Sequence, residues 1–582
     1  MHTNPRTFRS NYLSTAVGAI AAICTVIMIQ AGCSAGSDGA QASSNDNQGW
    51  SNLGTSGAQD IGQFRSILES GGIPSENTLD ANGFFNEHVT ELPEPDCGQA
   101  ICLHGMLAVH SDWIWNDYQA TLQLGMNTTM DASSLPQRPR DLVVVVDTSG
   151  SMASEDKMTY VKQGLHLLVD TLDPEDRMAL VRYDSAVTVL TDLLEPTEAT
   201  TLHEMVTGLY PDGATNFYGG LETGLQMALE AANPERERRV IMLSDGQPTA
   251  GAATDNASII EMAERYIGDG IGVTTIGVGL AFNVELMRGL AERGAGNFYF
   301  LESAAAIDEV FTQELDFFVT PVAYDLELEV VSGAAYSLGE VVGTHLWQTD
   351  GFRGSISIPA VFLASRRSPS DPPEEDPRRR GGGSAILIDL IPQEAWQGLA
   401  DPHRMAELKL RYRLAGSEEL LEQTVVVQNP KDPGVAEELP FYTHVAIAKN
   451  HAMYNIFLGL REACRQAMVS HNYALWVLEQ LEERASAWNL SSNDPDIAAD
   501  LLLIDQFIAN LEAKGAWAVE PGAPYDYTYP CGYEGCMYED DMGGFFFCSA
   551  GKASDTSPIA LALILVVLGA WRRGRAGRPR SR

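Results

Sequence analysis

A short run of oxygen-bearing side chains follows an apolar stretch in the segment VVVVDTSGSM. Asp147, Ser149 and Ser151 stand two residues apart, directly after four valines at positions 143–146. A loop that leaves the carboxyl end of a parallel strand can turn such side chains toward one point, and open α/β sheets bind their ligands there. An aspartate among hydroxyls could act there as a nucleophile, as a general acid or base, or as a ligand of a hard divalent cation.

Each catalytic interpretation of this motif requires further residues that the sequence does not contain. Aspartic proteases use an Asp-Thr/Ser-Gly motif twice so that two carboxylates share a proton, but Ser149 stands at the glycine position and no second copy occurs. Phosphatases of the haloacid dehalogenase type need a second aspartate two positions after the first, which is again Ser149. The sequence has no Gly-x-Ser-x-Gly elbow, His-Glu-x-x-His helix or Walker loop. We therefore expect no enzymatic activity and no small-molecule substrate. Hydrolysis by a cation-activated water is a weaker alternative, because no general base is evident beside the motif.

Alternating strand-like and helical patterns surround the motif. Apolar runs typical of strands lie at residues 142–146, 178–183, 240–243, 273–278 and 297–301. Helical spacing lies between them, as in the one-sided apolar stripe of residues 158–172. Nearly continuous apolar strands separated by helices predict an α/β, Rossmann-like domain whose mostly parallel sheet is covered on both faces.

On these residues the sequence resembles the von Willebrand factor type A domain. The metal-ion-dependent adhesion site of that family has Asp-x-Ser-x-Ser on one loop, a threonine on a second and an aspartate on a third. DTSGSM supplies the first piece, DGATNFYGGL supplies Thr215 and VIMLSDGQPT supplies Asp245. The resemblance implies a metal site of five side chains, which are Asp147, Ser149, Ser151, Thr215 and Asp245.

The resemblance also implies the ligand chemistry of this site. The cation would be Mg²⁺, with Mn²⁺ or Ca²⁺ as alternatives. Ser149 and Ser151 would ligate it directly, together with Asp147, Thr215 or both, and Asp245 would act directly or through water. An acidic residue of a partner protein would complete the coordination.

Period-two alternation after Pro321 predicts antiparallel strands, and helical spacing returns after Pro440. The predicted segments are a signal peptide over 1–32, a flexible tether over 33–59, an N-terminal extension over 60–138, the von Willebrand factor type A domain over 139–319, a β-rich, sandwich-like domain over 321–432 with a disordered loop at 365–384, a helical domain over 440–515, a Gly/Tyr/Cys-rich spacer over 521–551 and a hydrophobic tail with an arginine cluster over 557–582. The whole arrangement resembles bacterial envelope proteins of this family that often carry lipoprotein signals.

Both ends of the chain indicate export. The basic and then apolar start ends in Gln30-Ala31-Gly32-Cys33, which resembles a lipoprotein signal in which Cys33 is lipidated; plain signal cleavage is the alternative. The last apolar run is followed by six arginines and resembles the sorting tails of myxococcal-type surface proteins, which are processed near a cysteine such as Cys548. A short tilted membrane anchor is the alternative for this tail.

The spacing of the cysteines indicates the compartment, and the net charge indicates which partners are disfavoured. Cys97 with Cys102, and Cys531 with Cys536, are close enough to form small disulfide loops in an oxidising compartment, and Cys464 lies in an apolar helical pattern as a core thiol. The formal net charge is -40, which disfavours binding to the phosphate backbone of nucleic acids.

The leading hypothesis is therefore a membrane-tethered protein of the bacterial cell envelope or cell surface. It would bind another protein through a divalent cation, in adhesion or envelope assembly. The alternative is a structural or scaffold protein in which the metal only stabilises the site loops and partners bind the β-rich and helical regions.

Overall fold

The computed structural model describes residues 51–130, 138–233, 235–301, 321–364, 385–393, 396–434, 440–444 and 446–517, with the single residues 135, 307, 310 and 311. Several predictions concern residues outside these ranges. They are the signal peptide, Cys33, the first part of the tether, the disordered loop, Cys531, Cys536, Cys548, the spacer and the tail.

The strands are β1 (Ser51–Thr55), β2 (Gly57–Ala58), β3 (Cys102–Ser111), β4 (Tyr118–Thr128), β5 (Arg140–Asp147), β6 (Arg177–Tyr183), β7 (Val187–Leu194), β8 (Glu237–Ser244), β9 (Ile271–Val278), β10 (Asn297–Leu301), β11 (Ala323–Ser332), β12 (Tyr336–Val342), β13 (Trp347–Thr349), β14 (Arg353–Leu363), β15 (Ile386–Pro392), β16 (Arg404–Leu414), β17 (Leu420–Gln428) and β18 (Phe441–Tyr442). The helices are α1 (Gly62–Glu69), α2 (Ala81–Asn86), α3 (Lys157–Asp170), α4 (Ala199–Thr207), α5 (Phe217–Glu230), α6 (Asn256–Ile267), α7 (Val284–Arg293), α8 (Ala446–Ala467), α9 (His471–Ser492) and α10 (Pro495–Ala513). Among the described residues, no helix is both long and apolar enough to span a membrane.

The first sheet has the strand order β2-β10-β9-β8-β5-β6-β7. All neighbours in it are parallel except β7, which runs antiparallel to β6. The five strands predicted from apolar runs are confirmed as β5, β6, β8, β9 and β10. The two edge strands were not predicted, because β2 has only two residues and β7 is an edge strand with a single buried position and no regular apolar pattern.

Both faces of this sheet are covered by helices, as the sequence predicts. Val143 and Val145 belong to the core beneath α5, α6 and α7, whereas Val144 and Val146 belong to the core beneath α3 and α4. All four valines have no exposed surface. Burial of each such side chain contributes about 1.5–3 kcal/mol, so β5 is a rigid support for the loop that follows it.

The second sheet is antiparallel, and its strands come from both sides of the α/β domain in the sequence. Its main order is β12-β15-β4-β1-β14-β11-β16-β17, and β3, β13 and β18 pair at its sides. Gly105 on β3 packs against the side chains of Leu408 and Val427, so one end of the sheet lies face to face with the other. The predicted β-rich domain at 321–432 therefore shares its sheet and core with the predicted N-terminal extension.

The predicted flexible tether over 33–59 is wrong for its last residues. Residues 51–55 form β1, which pairs with both β4 and β14, and residues 57–58 pair with β10 of the first sheet. Leu53 is only 3% exposed. The small residues that suggest flexibility also allow a strand to fit between two others, and the backbone hydrogen bonds of the sheets decide the outcome.

The C-terminal helices share a core with the N-terminal helices α1 and α2. The apolar stripe predicted after Pro440 is confirmed as α8, with Cys464 buried in it as a free thiol. Asp494 caps α10 by accepting hydrogen bonds from the backbone of the first turn, as its position before Pro495 indicates. Helix α9 between them was not predicted. The Cys97–Cys102 disulfide is present, with the two Cα atoms 5.7 Å apart.

Candidate metal centre

Three loops meet at the carboxyl edge of the first sheet. Asp147 is the last residue of β5, and the loop after it continues into a short 3₁₀-helix, Gly150–Ala153. The loop before α5 is tied to it by two backbone hydrogen bonds, from Asp212 N to Thr148 O at 2.7 Å and from Gly150 N to Gly213 O at 3.1 Å. Gly213 has a φ of +77°, a conformation that favours glycine. The loops are thus held together by the backbone itself.

Asp147 lies at the base of the site and is fully buried. Its Oδ1 accepts a hydrogen bond from Ser149 N at 2.8 Å, and its Oδ2 accepts from Ser244 Oγ at 2.8 Å and Tyr183 OH at 3.2 Å. Burial raises the pKa of this carboxyl above its ordinary value, although the donors from Ser149 and Ser244 act in the opposite direction. The Asp147 carboxylate is therefore held in one orientation.

The two serines and Asp245 form a chain of close oxygen atoms. Ser149 Oγ lies 3.1 Å from Ser151 Oγ, and Ser151 Oγ donates to Asp245 Oδ1 at 2.7 Å. Neighbouring oxygen ligands of an octahedral Mg²⁺, each about 2.1 Å from the ion, are separated by about 3 Å. Both the donor types and their spacing therefore fit a hard divalent cation.

Thr215 completes the set from the loop before α5. Its backbone exchanges hydrogen bonds with Thr249, from Thr215 N to Thr249 Oγ1 and from Thr249 N to Thr215 O, each at 3.0 Å. A Cβ on Gly246 would lie 3.7 Å from Thr215 Oγ1 and 3.8 Å from Ser151 Oγ. Gly246 therefore lies within van der Waals reach of both hydroxyls, which places Thr215 and Ser151 around the same part of the loop.

Sequence reasoning missed Lys157, the first residue of α3. Its ammonium nitrogen lies 2.9 Å from Asp245 Oδ2, and the lysine side chain is only 7% exposed. The aliphatic stem passes over Gly279, where a Cβ would come within 2.5 Å of Lys157 Cε. No local pattern reveals this pair, because the two residues are 88 positions apart and meet only in the folded sheet.

Lys157 also sets the charge of the site. Asp147 and Asp245 contribute two negative charges, and the lysine ammonium offsets one of them. Asp245 turns its Oδ1 toward the serines and its Oδ2 toward the lysine. Asp245 can therefore reach a bound cation through Oδ1 or through a water, while Oδ2 stays with Lys157.

A parallel α/β sheet with this oxygen site on its carboxyl edge defines a class of domain. Residues 141–313 match the family model described as "von Willebrand factor type A domain", and this part of the chain is such a domain. Domains of this class generally mediate protein–protein interactions and often hold a divalent metal at an adhesion site.

Several known proteins are similar to part of this chain. The chain is 26% identical over 223 residues to the uncharacterized protein YfbK of Escherichia coli (strain K12), covering 38% of either chain. It is 25% identical over 205 residues to inter-alpha-trypsin inhibitor heavy chain H4 of Bos taurus, covering 33% of this chain and 22% of that protein. The chain thus spans well under half the length of these relatives. A solved structure described as von Willebrand factor type A from Catenulispora acidiphila is 15% identical, with a TM-score of 0.47 over 68% of this chain and 88% of that one.

Proposed function

We propose that this protein is exported to the bacterial cell envelope and binds a protein partner there through a divalent cation, most simply Mg²⁺. The cation would be held by Asp147, Ser149, Ser151, Thr215 and Asp245. The observation that carries this proposal is the chain of oxygen atoms from Ser149 to Asp245, with separations of 2.7 and 3.1 Å at the edge of the sheet where ligands bind.

The charge of the site supports a carboxylate as the partner group. Two carboxylates and the Lys157 ammonium together carry one net negative charge, so a divalent cation would leave the centre with one net positive charge. Ser151 is exposed, which gives an incoming group access to the cation. An aspartate or glutamate of a partner supplies both the missing oxygen ligand and the opposite charge.

Export and anchoring are supported by the ends of the sequence and by the cysteines. The first 32 residues have the pattern of a signal peptide with Cys33 after it, and the last residues resemble a sorting tail. The Cys97–Cys102 disulfide is of a kind that persists in oxidising compartments outside the cytosol. A lipid on Cys33 would tether the protein to a membrane.

The second candidate is a scaffold whose partner binds the β-rich and helical regions. One observation favours it, a cavity of about 340 Å³ lined by residues of the β3–β4 turn, β15 and α8, including Trp115, Asp389 and Arg461. In this case the cation would only stabilise the loops. The backbone hydrogen bonds from Asp212 and Gly150 already join those loops without a cation, which favours the first candidate.

Single substitutions separate the two candidates. Deleting residues 325–515 would not separate the two candidates. The deletion would remove β14, which pairs with β1, and β15, which pairs with β4, so β1 and β4 would lose these neighbouring strands. Asp147→Ala removes a predicted metal ligand, and Trp115→Ala alters the cavity. Asp192→Ala is the matched control, since Asp192 is exposed on the edge strand β7.

The experiment measures Mg²⁺ binding by calorimetry and recovery of envelope proteins on immobilised full-length chain, with and without EDTA. The first candidate predicts that EDTA and Asp147→Ala each abolish partner recovery, whereas Trp115→Ala and Asp192→Ala leave it intact. Circular dichroism checks that every variant is folded. Recovery that survives EDTA and is lost in Trp115→Ala would replace the first candidate by the second.

A further inference from the structure

Two histidines lie side by side on the outer surface of the α/β domain, away from the loop site. His166 belongs to α3 and His203 belongs to α4, and their Nδ1 atoms are 2.8 Å apart. The ring centroids are 5.0 Å apart. Nitrogens at this distance share either a proton or a metal ion.

The other ring nitrogen of His203 contacts a carboxylate. His203 Nε2 lies 3.1 Å from Oδ1 of Asp170. An ionised carboxylate can only accept hydrogen bonds, so His203 Nε2 must carry a proton and donate it. In the neutral imidazole this leaves the lone pair on Nδ1, and that lone pair faces His166.

The other ring nitrogen of His166 faces a hydroxyl that is already committed as a donor. Thr207 Oγ1 donates to the backbone carbonyl of His203 at 2.8 Å. His166 Nε2 lies 3.5 Å from the same oxygen, at the outer limit of a hydrogen bond, so this contact alone does not fix which nitrogen of His166 carries the proton. When that proton is on Nε2, the lone pair of His166 is also on Nδ1. Two Nδ1 lone pairs that face each other at 2.8 Å repel, and a metal ion bound between them removes the repulsion, whereas a proton on either Nδ1 gives an ordinary hydrogen bond.

We propose that His166 and His203 form a second cation site, which binds a late first-row transition metal ion such as Zn²⁺. This site is independent of the loop site and of the proposed partner binding. Its two donors are imidazole nitrogens, which suit Zn²⁺, Ni²⁺ or Cu²⁺ and not Mg²⁺. Asp170 would orient His203 from behind, in the carboxylate–histidine–metal arrangement common around bound zinc.

The surroundings permit such binding. Two imidazole nitrogens about 2.0–2.1 Å from a tetrahedral Zn²⁺ are roughly 3.3 Å apart, so the pair needs to open by about 0.5 Å. The side chains of His203 and Asp170 are 32% and 66% exposed, which leaves room for that movement and for water ligands. Within the described residues no group of three or more His, Cys, Asp or Glu side chains is arranged to hold a metal, so we expect two protein ligands and modest affinity.

One positive side chain opposes the metal. Lys162, one turn earlier on α3, donates to Thr207 O at 2.9 Å and so lies near the pair. Asp170 partly offsets its charge.

The test is a calorimetric titration of the full-length chain with Zn²⁺ in excess Mg²⁺. We expect one Zn²⁺ site that is lost in His166→Gln and in His203→Gln, and weakened about 10–100-fold in Asp170→Asn. His471→Gln, on another helix, is the matched control and should keep the site. The same titration in an Asp147→Ala background separates the two proposals, because loss of the loop site should leave this Zn²⁺ binding unchanged.

Two results would overturn the proposal of a zinc site. If the wild-type chain and His166→Gln bind Zn²⁺ with the same stoichiometry and affinity, the pair shares a proton and is no metal site. Zn²⁺ binding that disappears in Asp147→Ala and persists in His203→Gln would likewise assign the ion to the loops and overturn the proposal.

Discussion

Lys157 holds Asp245 from the side opposite the serines, with its ammonium nitrogen 2.9 Å from Asp245 Oδ2 while Ser151 Oγ lies 2.7 Å from Oδ1. The lysine ammonium thus forms an ion pair with one carboxylate oxygen of the candidate metal centre. It lowers the negative charge available to a divalent ion and keeps Asp245 in place when no ion is bound.

Replacing this lysine should therefore separate metal affinity from stability. In Lys157→Met the site gains one net negative charge, so we expect Mg²⁺ to bind at least several-fold more tightly. The metal-free protein should lose about 3 kcal/mol, because a buried carboxylate loses its ion pair. Calorimetry with Mg²⁺ and urea unfolding with and without Mg²⁺ measure the two effects. Lys162→Met, on the same helix but only partly buried and hydrogen-bonded to Thr207 O, is the control. Unchanged or weaker Mg²⁺ binding in Lys157→Met would contradict this role.

Ser151 offers the cleanest removal of a single proposed ligand. Its hydroxyl joins Ser149 to Asp245, yet the residue is exposed and packs little. Ser151→Ala should weaken Mg²⁺ binding about tenfold or more and change the free energy of unfolding by less than about 1 kcal/mol. Ser154→Ala, an exposed serine three residues further on, should leave Mg²⁺ affinity unchanged. Equal affinities in the two variants, by calorimetry, would remove Ser151 from the ligand set.

The α/β domain could be predicted from the sequence because the residue patterns that indicate it each lie within a short segment. Four consecutive buried valines form one strand, and the spacing of Asp147, Ser149 and Ser151 places three oxygens on one short loop. Apolar periodicity likewise revealed α8, and Asp494 before Pro495 indicates the start of α10. In each case the residues that decide the structure are within a few positions of one another.

Features that depend on distant partners were not predictable in this way. Lys157 finds Asp245 across 88 positions, and β1 is a strand only because β4 and β14 lie on either side of it. The sharing of one sheet between the N-terminal extension and the strands after Pro321 has the same origin. The composition of a segment indicates only what that segment can form by itself. These contacts join residues that are far apart in the sequence, so they exist only once the chain has folded.

Asp389 makes stability depend on pH in the weakly acidic range. Burial raises its pKa to about 6, although Tyr454 OH at 3.0 Å and Thr121 Oγ1 at 3.2 Å donate to the carboxylate. The folded chain therefore keeps the proton to higher pH than the unfolded chain, whose Asp titrates near 4. The contribution of this group is fully present below pH 4, declines as pH rises through about 6 and is lost above it.

The variant Asp389→Asn isolates this effect from other titrating groups. Its free energy of unfolding should change less between pH 4.5 and pH 7 than that of the wild type, by at most about 2–3 kcal/mol. Urea unfolding at the two pH values gives the comparison, and Asp192→Asn on the exposed edge strand serves as the control. A wild-type protein that gains stability relative to Asp389→Asn as the pH rises would show that the pKa is shifted the other way.

Gly105 tests the face-to-face packing of the second sheet. A Cβ at this position would lie 2.5 Å from Val427 Cγ2 and 2.6 Å from Leu408 Cδ1, so Gly105→Ala forces these side chains, or the strands that carry them, to move. We expect a loss of about 1–3 kcal/mol, as for other overpacked cores. Gly54→Ala on β1 is the matched control, because no heavy atom lies within 4 Å of the added carbon. Urea unfolding of both variants decides the point, since equal stabilities would mean that β3 does not pack on those strands.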